Sequence, residues 1–335
     1  MRLPALASAL GVGAVLLKDE GGRFGLGSFK ALGGAYGVRR LLARQAQPPE
    51  SIVVTCATDG NHGRAVAWGA QVFGCRAVIY LHEKVSAARE RAIAAYGAKT
   101  VRTPGNYDDG VRQCAEDAAR NGWFVVSDTT WPGYEDVPRD VMQGYTVMVG
   151  EALVQAAATE RPTHVFVQGG VGALAAAVLA HLWETQGAAR PFLIVVEPTR
   201  ADCLYRSAQA GKSVAVTGAL DTIMAGLACG EPSMLAWKIL DRGADAFLAI
   251  EDEWAMQAMR RLAAPTAGDA SVVAGESGAA GLAGLLALGA SSALFNQAGL
   301  NASSRVLVFN TEGATDPELY RSIVPSSAAP LLAVH

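Results

Sequence analysis

Apolar, β-branched runs alternate with helical patterns along most of the chain, beginning at residue 51. In the first half this pattern predicts strands at 51–55, 76–81, 100–102 and 123–127, with intervening helices at 61–73, 86–96 and 107–121. Strands that alternate with helices in this way predict a parallel sheet covered by helices on both faces.

The second half repeats the alternation after a helix predicted over residues 138–157. It predicts strands at 164–168, 192–197, 246–250 and 305–309, and helices at 173–183, 201–209, 231–241, 252–263 and 278–289. We therefore predict an α/β protein of two doubly wound domains with largely parallel sheets. The active site is expected in the cleft between them, because ligands gather at the carboxyl ends of parallel strands.

Two apolar stretches need a separate explanation. Residues 1–17 carry an arginine followed by an apolar run, as a secretory signal does, but Gly11 divides the run into a short helix at 5–10 and a strand at 14–17. The apolar stretch 278–294 is predicted to be a buried helix broken near Gly289. We therefore expect no membrane role and a cytoplasmic location.

Composition narrows the class of ligand. The chain of 335 residues has a net charge of −3 and a pI near 6.0, so it offers no basic field for nucleic acid or an anionic membrane. Its five cysteines are scattered without the spacing of a zinc site or a disulfide framework, so we expect no metal. A small molecule is the expected partner.

Lys30 is the first candidate for chemistry. It follows a glycine-broken loop, begins a helical pattern, and precedes small residues that allow another backbone to approach. We expect it to be half-buried, with a pKa lowered by burial, because the neutral amine attacks carbonyl groups and forms Schiff bases. On this stretch alone, a lysine lying along the surface of a helix remains the alternative.

Two loops are predicted to bind anions. The motif TDGNHG at 58–63 follows a strand and begins a helix, where backbone amides suit a carboxylate. Asp59 would repel that anion, which suggests a role beyond an ordinary turn or helix cap. The motif GGVGA at 169–173 suits a phosphate. It also matches a dinucleotide fingerprint with Glu197 at the end of the next strand, so nicotinamide binding stays open.

Two further loops follow strands. The acidic and aromatic segment 127–136 is either a lid carrying a second carboxylate or a solvated connection, and its residues alone slightly favour the connection. Thr311 follows the last predicted strand and offers a hydroxyl. Together with Lys30 and both anion loops, these features favour pyridoxal phosphate over NAD, which would leave Lys30 and the Asn61 loop unexplained.

Eight short motifs carry a family resemblance. They are SFKALGGAY at 28–36, ATDGNHGR at 57–64, NYDD at 106–109, WPGYE at 131–135, MQGY at 142–145, TIMAGL at 222–227, ESGA at 276–279 and TEG at 311–313. Together they resemble the diaminopropionate ammonia-lyases, which are fold-type II pyridoxal-phosphate enzymes related to threonine dehydratase and the tryptophan synthase β-subunit. The resemblance implies a homodimer with a large cofactor-binding domain at 1–34 and 161–335 and a smaller α/β domain at 35–160.

The resemblance also assigns roles to residues. It implies that Lys30 binds the cofactor covalently, with Phe29 beside it, that Asn61 contacts the 3′-oxygen and that Thr311 faces the pyridine nitrogen. The residues implied to hold the phosphate are Gly169, Gly170, Val171, Gly172 and Ala173. The residues implied to bind the amino-acid substrate are Thr58, Asp59, Gly60, His62 and Asp128.

The implied reaction is α,β-elimination of D- or L-2,3-diaminopropionate to pyruvate and two ammonia molecules. Lys30 would serve as base on one face of the substrate and Asp59 on the other. An amine leaves only when protonated, so Asp59 and Asp128 are expected near the leaving group. The resemblance also places Cys203 and Cys229 where some relatives have a cysteine pair, although two free thiols are favoured here.

Three alternatives remain at this point. A serine or threonine dehydratase, or a diverged β-eliminating or β-replacing enzyme, would keep the cofactor and change the substrate. An NAD-dependent oxidoreductase would use the glycine loop alone. A cofactor-binding protein without turnover would keep the site and lack the reaction.

Overall fold

The computed structural model of the chain describes residues 1–156 and 160–325. The strands in this part are β1 (Ala14–Asp19), β2 (Val53–Thr58), β3 (Arg76–His82), β4 (Lys99–Thr103), β5 (Phe124–Val125), β6 (His164–Gln168), β7 (Phe192–Pro198), β8 (Ala246–Ile250) and β9 (Arg305–Asn310). The predicted strands are all present, with boundaries that differ by a few residues.

The described strands form two sheets. One has the order β1-β9-β6-β7-β8 and the other the order β4-β3-β2-β5, and the strands pair in parallel throughout. Every residue of β2 and of β6 is buried, as expected for central strands covered on both faces. The predicted α/β fold with largely parallel sheets is confirmed.

Helices separate the strands along the chain. They are α1 (Pro4–Leu10), α2 (Lys30–Leu42), α3 (Asn61–Phe73), α4 (Ala87–Ala94), α5 (Tyr107–Asn121), α6 (Asp136–Gln155), α7 (Ala173–Gln186), α8 (Cys203–Ala210), α9 (Met234–Gly243), α10 (Asp252–Ala263), α11 (Ala280–Gly289), α12 (Ser292–Gln297) and α13 (Pro317–Ile323). Among the described residues, none of these helices combines the length and apolar character that a membrane span requires.

The N-terminal prediction is confirmed. Helix α1 ends at Gly11, which has a φ of 69° that glycine adopts without strain, and β1 follows. The predicted helix at 138–157 corresponds to α6, and residue 157 lies outside the described residues. Strand β5 is shorter than predicted because the amide of Ser127 donates to the Tyr134 hydroxyl instead of continuing a ladder. The short helices α12 and α13 were not predicted.

Close packing of α2 against α6 fixes the position of Lys30. A Cβ on Gly144 of α6 would lie 2.8 Å from Gly33 Cα and would also overlap the carbonyl oxygen of Leu32. A Cβ on Gly33 would overlap the Tyr145 ring and lie 2.6 Å from the Val141 carbonyl oxygen. The predicted role of the small residues after Lys30 is therefore confirmed: they let the two helix backbones meet.

Candidate active site

The carboxyl ends of strands from both sheets open into one cleft. Its lining includes residues from the loops after β2, β5, β6 and β9, so the four loops chosen from the sequence meet. The predicted site residues that line it are Phe29, Lys30, Thr58, Asp59, Gly60, Asn61, His62, Asp128, Gly169, Gly170, Val171, Ala173 and Thr311.

Lys30 is the first residue of α2 and projects its amine into the cleft. Its Nζ lies 2.5 Å from Asp128 Oδ2 and within 5.4 and 5.8 Å of the ring centroids of Phe29 and Tyr145. The side chain is 21% exposed, so the expected half-buried position is confirmed. The expected direction of its pKa is wrong: burial lowers the pKa of the amine, but the Asp128 carboxylate outweighs burial and raises it above its ordinary value.

Asp128 is the partner that holds this charge. Burial alone would raise the pKa of its carboxyl, but the Lys30 ammonium outweighs burial and holds that pKa well below its usual range. The two side chains therefore form an ammonium–carboxylate pair. A buried pair of this kind keeps both charges only while both partners are present.

The segment that carries Asp128 is packed rather than solvated. Ser127, Asp128, Thr129 and Thr130 are all buried. The Tyr134 hydroxyl donates to the Val125 carbonyl at 2.8 Å and accepts the Ser127 amide at 3.0 Å, which closes the segment on itself. The interpretation of 127–136 as a solvated connection is therefore wrong for its first half.

The loop between β2 and α3 offers free backbone donors. The Thr58 hydroxyl accepts the amides of Gly60 and Gly63, each at 2.9 Å, and so caps the helix itself. Among the described residues, the amides of Asn61 and His62 have no protein acceptor. This leaves two N–H groups at a helix N-terminus for an anion in the cleft.

Asp59 and His62 are held differently within that loop. Asp59 Oδ1 accepts a hydrogen bond from His82 Nε2 at 2.9 Å. His62 Nε2 donates to the Val126 carbonyl at 2.8 Å, and its Nδ1 lies 3.9 Å from Asp128 Oδ2. Burial lowers the pKa of His62, so its imidazole is neutral and packs behind Asp128.

The glycine loop after β6 forms a cradle of amides. Gly170 and Gly172 have φ values of 67° and 94°, and a Cβ on Gly169 would lie 2.5 Å from Glu197 Cγ. The amides of Gly170, Val171 and Ala173 have no protein acceptor among the described residues, whereas the Gly172 amide donates to the Gly169 carbonyl at 3.3 Å. Gly172 shapes the loop and is absent from the lining of the cleft, so its contact with the ligand stays a prediction.

Glu197 lies beneath this loop and not in the cleft. Its carboxylate accepts the amides of Tyr205 and Leu204 at 2.7 and 3.1 Å, at the start of α8. Burial raises the pKa of Glu197 to about 8, against these two hydrogen bonds. Because the side chain is 1% exposed and fully engaged, it is not available to a dinucleotide ribose, which removes the support for NAD binding.

Thr311 lies at the other side of the cleft, after β9. Its hydroxyl accepts a hydrogen bond from Gln168 Nε2 at 3.2 Å, which leaves the hydroxyl hydrogen free to donate. Its carbonyl accepts the Phe29 amide at 3.0 Å. Thr311 and Lys30 are therefore held in a fixed relation through Phe29.

A buried ion cluster spans the cleft and was missed from the sequence. Arg89 of α4 donates to Glu276 Oε1 at 2.5 Å, across 187 residues of chain. Glu312 accepts the Ser277 amide at 3.1 Å and the side-chain amide of Asn61. Burial and the neighbouring Glu312 raise the pKa of Glu276, and Arg89 opposes them. The cluster joins the two sides of the cleft.

Nine lining residues, including Arg89 and Glu312 of this cluster, had no role in the site assigned from the sequence. They are Arg89, Tyr107, Gln168, Leu174, Gly226, Leu227, Cys229, Ser277 and Glu312. Most of them lie in the motifs quoted above, and this was the sequence feature that could have identified them. No rule of spacing or composition predicts that such apolar or buried residues contact a ligand. Cys203 and Cys229 are both buried free thiols, as favoured from the sequence.

Comparison with known proteins gives the class of this site. The family model for pyridoxal-phosphate-dependent enzymes matches residues 1–312. The chain belongs to this family, and its parallel two-sheet architecture is that of the fold-type II members.

More particular matches extend along nearly the whole chain. It is 42% identical to diaminopropionate ammonia-lyase of Escherichia coli strain K12 over 96% of this chain and 85% of that protein. Two crystal structures of the Escherichia coli enzyme superpose with a TM-score of 0.91 each. One contains an aminoacrylate–PLP azomethine intermediate (42% identity, 97% of this chain, 86% of that one), and the other contains D-serine (41%, 97% and 87%). The predicted family and cofactor are confirmed.

The residues of the cleft fit pyridoxal phosphate. The amides of Gly170, Val171 and Ala173, just before and at the start of α7, have no protein acceptor among the described residues and form a cradle for the phosphate. Side chains at the glycines of this loop would crowd the neighbouring residues. Lys30 supplies an amine, and the Thr311 hydroxyl has a free hydrogen to donate. These donors match the phosphate, the aldehyde and the ring nitrogen of this cofactor.

Proposed function

We propose that the protein catalyses α,β-elimination of 2,3-diaminopropionate, consuming one water molecule and releasing pyruvate and two ammonia molecules. The observation that carries this proposal is that two carboxylates, Asp59 and Asp128, line the same cleft as Lys30, which also offers anion-binding amides. Similarity to diaminopropionate ammonia-lyase over 96% of the chain supports the same substrate.

Pyridoxal phosphate, when bound, supplies an aldehyde that captures amines and a conjugated ring that accepts electrons from the substrate α-carbon. Lys30 would hold it covalently, with Phe29 alongside. Gly170, Val171 and Ala173 would bind the phosphate through their amides, with Gly169 and Gly172 shaping the loop.

Asn61 and Thr311 complete the cofactor site. The Asn61 side-chain amide is oriented by its hydrogen bond to Glu312, which leaves a second amide hydrogen for the cofactor's 3′-oxygen. The Thr311 hydroxyl would face the ring nitrogen. A neutral hydroxyl there does not protonate the ring, which favours prompt elimination over chemistry that needs a long-lived carbanion.

The loop after β2 would bind the substrate carboxylate. The unengaged amides of Asn61 and His62 are the donors, while Thr58 and Gly60 set the loop's shape. The amide cradle and the carboxylates lie in one cleft, so an α-amino acid with a second, cationic amine matches its charges. Serine and threonine lack that second positive charge.

The chain's own groups would move the protons. In its neutral form, Lys30 Nζ takes the α-proton on one face of the substrate. The Asp59 carboxylate takes it on the other face, which allows both isomers to react. Asp128 keeps Lys30 oriented through the 2.5 Å contact and, together with Asp59, keeps the leaving amine protonated. The protonated amine takes the electron pair of its bond to Cβ and therefore departs directly as neutral ammonia.

We further propose a division into a large domain at residues 1–34 and 161–335 and a small domain at 35–160. Membership of the strands supports this, because β1 and β6 to β9 share one sheet and β2 to β5 the other. A cytoplasmic homodimer completes the proposal. The free thiols Cys203 and Cys229 are compatible with a reducing compartment.

The test is 2-oxo acid release by purified, cofactor-loaded protein on D- and L-2,3-diaminopropionate, beside L-serine and L-threonine. The product is pyruvate from the first three substrates and 2-oxobutyrate from threonine. We expect the diamino acids to give the higher kcat/KM by a large factor, and the Lys30→Ala variant to release none. A preference for serine or threonine would overturn the substrate and keep the cofactor. Sedimentation of the same sample measures the assembly.

A further inference from the structure

The strand register of the four-stranded sheet places His82 next to Asp59. In the parallel pairing of β2 with β3, Thr58 lies opposite Leu81. The residues that follow them, Asp59 just after β2 and His82 at the end of β3, therefore lie side by side. Their side chains are each 13% exposed, and His82 Nε2 lies 2.9 Å from Asp59 Oδ1. The pair is thus a consequence of strand register and not of proximity along the chain.

The contact defines which group donates. A carboxylate can only accept hydrogen bonds, so the imidazole proton lies on Nε2. His82 Nδ1 is buried and has no hydrogen-bond partner among the described residues. A buried N–H without an acceptor is costly, so the imidazole proton that the pair requires is the one on Nε2, which Asp59 accepts.

His82 touches Asp59 but does not line the cleft. The residues that line the cleft include Asp59, and Asp59 Oδ2 has no hydrogen-bond partner among the described residues. One oxygen of the carboxylate is therefore fixed by the imidazole, and the other is left for a ligand. Arg89 Nη1 holds the main chain at the same point, 3.4 Å from the Asp59 carbonyl oxygen.

We propose that His82 is a positioning residue that selects for the D-isomer, because it fixes the rotation of Asp59 and presents Oδ2 to the substrate face opposite Lys30. The inference rests on the proposed function, in which Asp59 is the base on that face. Lys30 is oriented by Asp128 and not by His82, so turnover of the L-isomer is independent of this contact.

The experiment compares isomers in three variants of the cofactor-loaded enzyme. His82→Leu removes the donor, and His82→Gln keeps an N–H at similar reach. His181→Gln changes a histidine on α7 that does not line the cleft. For His82→Leu we expect kcat on the D-isomer to fall about 10-fold or more at unchanged KM, with L-isomer kcat within about two-fold of the parent. His82→Gln should recover most of the loss.

A double-mutant cycle tests the route through Asp59. In an Asp59→Asn background, His82→Leu should cause no further loss on the D-isomer, because the group that it positions is gone. Equal losses on both isomers, an additive cycle, or a parent enzyme that accepts only the L-isomer would each overturn the proposal.

Imidazole nitrogen NMR provides a readout that is independent of turnover. We expect the His82 signal to report a proton on Nε2 and to shift in Asp59→Asn, while His181 stays unchanged. If the parent turns over neither isomer, the proposed function fails. The NMR result then tests only whether His82 and Asp59 are hydrogen-bonded. A His82 signal that does not shift in Asp59→Asn would show that they are not.

Discussion

Lys30 Nζ and Asp128 Oδ2 lie 2.5 Å apart and carry opposite charges in a cleft where burial alone would neutralise the lysine. The amine that must attack a carbonyl is therefore held as an ammonium by its neighbour. The partner that orients Lys30 also delays its reaction with the cofactor's aldehyde, because only the neutral amine is a nucleophile.

Asp128→Asn should lower the pKa of Lys30, because burial then acts without the opposing carboxylate. The rate at which cofactor-free protein captures pyridoxal phosphate should then rise at lower pH than in the parent. Stopped-flow absorbance across a pH series measures this. Asp136→Asn, whose side chain is 83% exposed, is the control, and identical pH profiles for Asp128→Asn and the parent would contradict the account.

Arg89→Met should destabilise the protein far more than a surface arginine does. It leaves Glu276 and Glu312 buried without their cation, a loss of about 3–5 kcal/mol for a broken buried pair. Arg139→Met breaks an exposed pair with Asp136 and should cost about 1 kcal/mol or less. Urea unfolding of both variants at one pH provides the comparison. Equal losses would mean that the cluster across the cleft contributes no more than a surface pair.

Two alanine substitutions on α6 should have opposite signs. Gly144→Ala places a methyl group against the Leu32 carbonyl and 2.8 Å from Gly33 Cα, so it should destabilise by about 3 kcal/mol and lower turnover by displacing Lys30. At Gly150 the nearest atoms to a new Cβ are those of His181, at 3.6 Å. Gly150→Ala should therefore stabilise by about 0.5–1 kcal/mol through helix propensity. Thermal unfolding and kcat measure both, and a neutral Gly144→Ala would refute the packing argument.

The elements could be predicted from the sequence because buried parallel strands appear as short β-branched runs between amphipathic helices. The position of Lys30 at the start of α2 and the meeting of four loops also followed from this order. The pairing of Asp59 with His82 did not, because it depends on the register of β2 against β3. Arg89 and Glu276 are distant in sequence, and only the folded chain brings them together.

Burial was the other property that the sequence did not reveal. The segment after β5 is acidic and aromatic, as a surface loop is, yet the Tyr134 hydroxyl and the Trp131 ring, stacked at 4.2 Å on Tyr134, close it into the protein. The direction of the pKa of Lys30 was wrong for a different reason. Its direction depends on one carboxylate, and composition cannot tell which carboxylate a lysine meets.

Glu197 should make stability fall as pH rises, in the opposite direction to a salt-bridged carboxylate. Its folded-state pKa, raised to about 8 by burial, exceeds the value of about 4.3 in an unfolded chain, so the folded state binds the extra proton between those values. The contribution of this group is present at pH 4 and is lost as pH rises through 8. The Glu197→Gln variant cannot ionise, so its unfolding free energy should rise relative to that of the parent between pH 6 and pH 9. The altered hydrogen bonds to Leu204 and Tyr205 should lower the stability of the variant by the same amount at every pH. Urea unfolding across that range measures the difference, and Glu116→Gln, at an exposed position, is the control. If the unfolding free energies of parent and variant show the same pH dependence, Glu197 stays ionised beneath the glycine loop and the prediction is wrong.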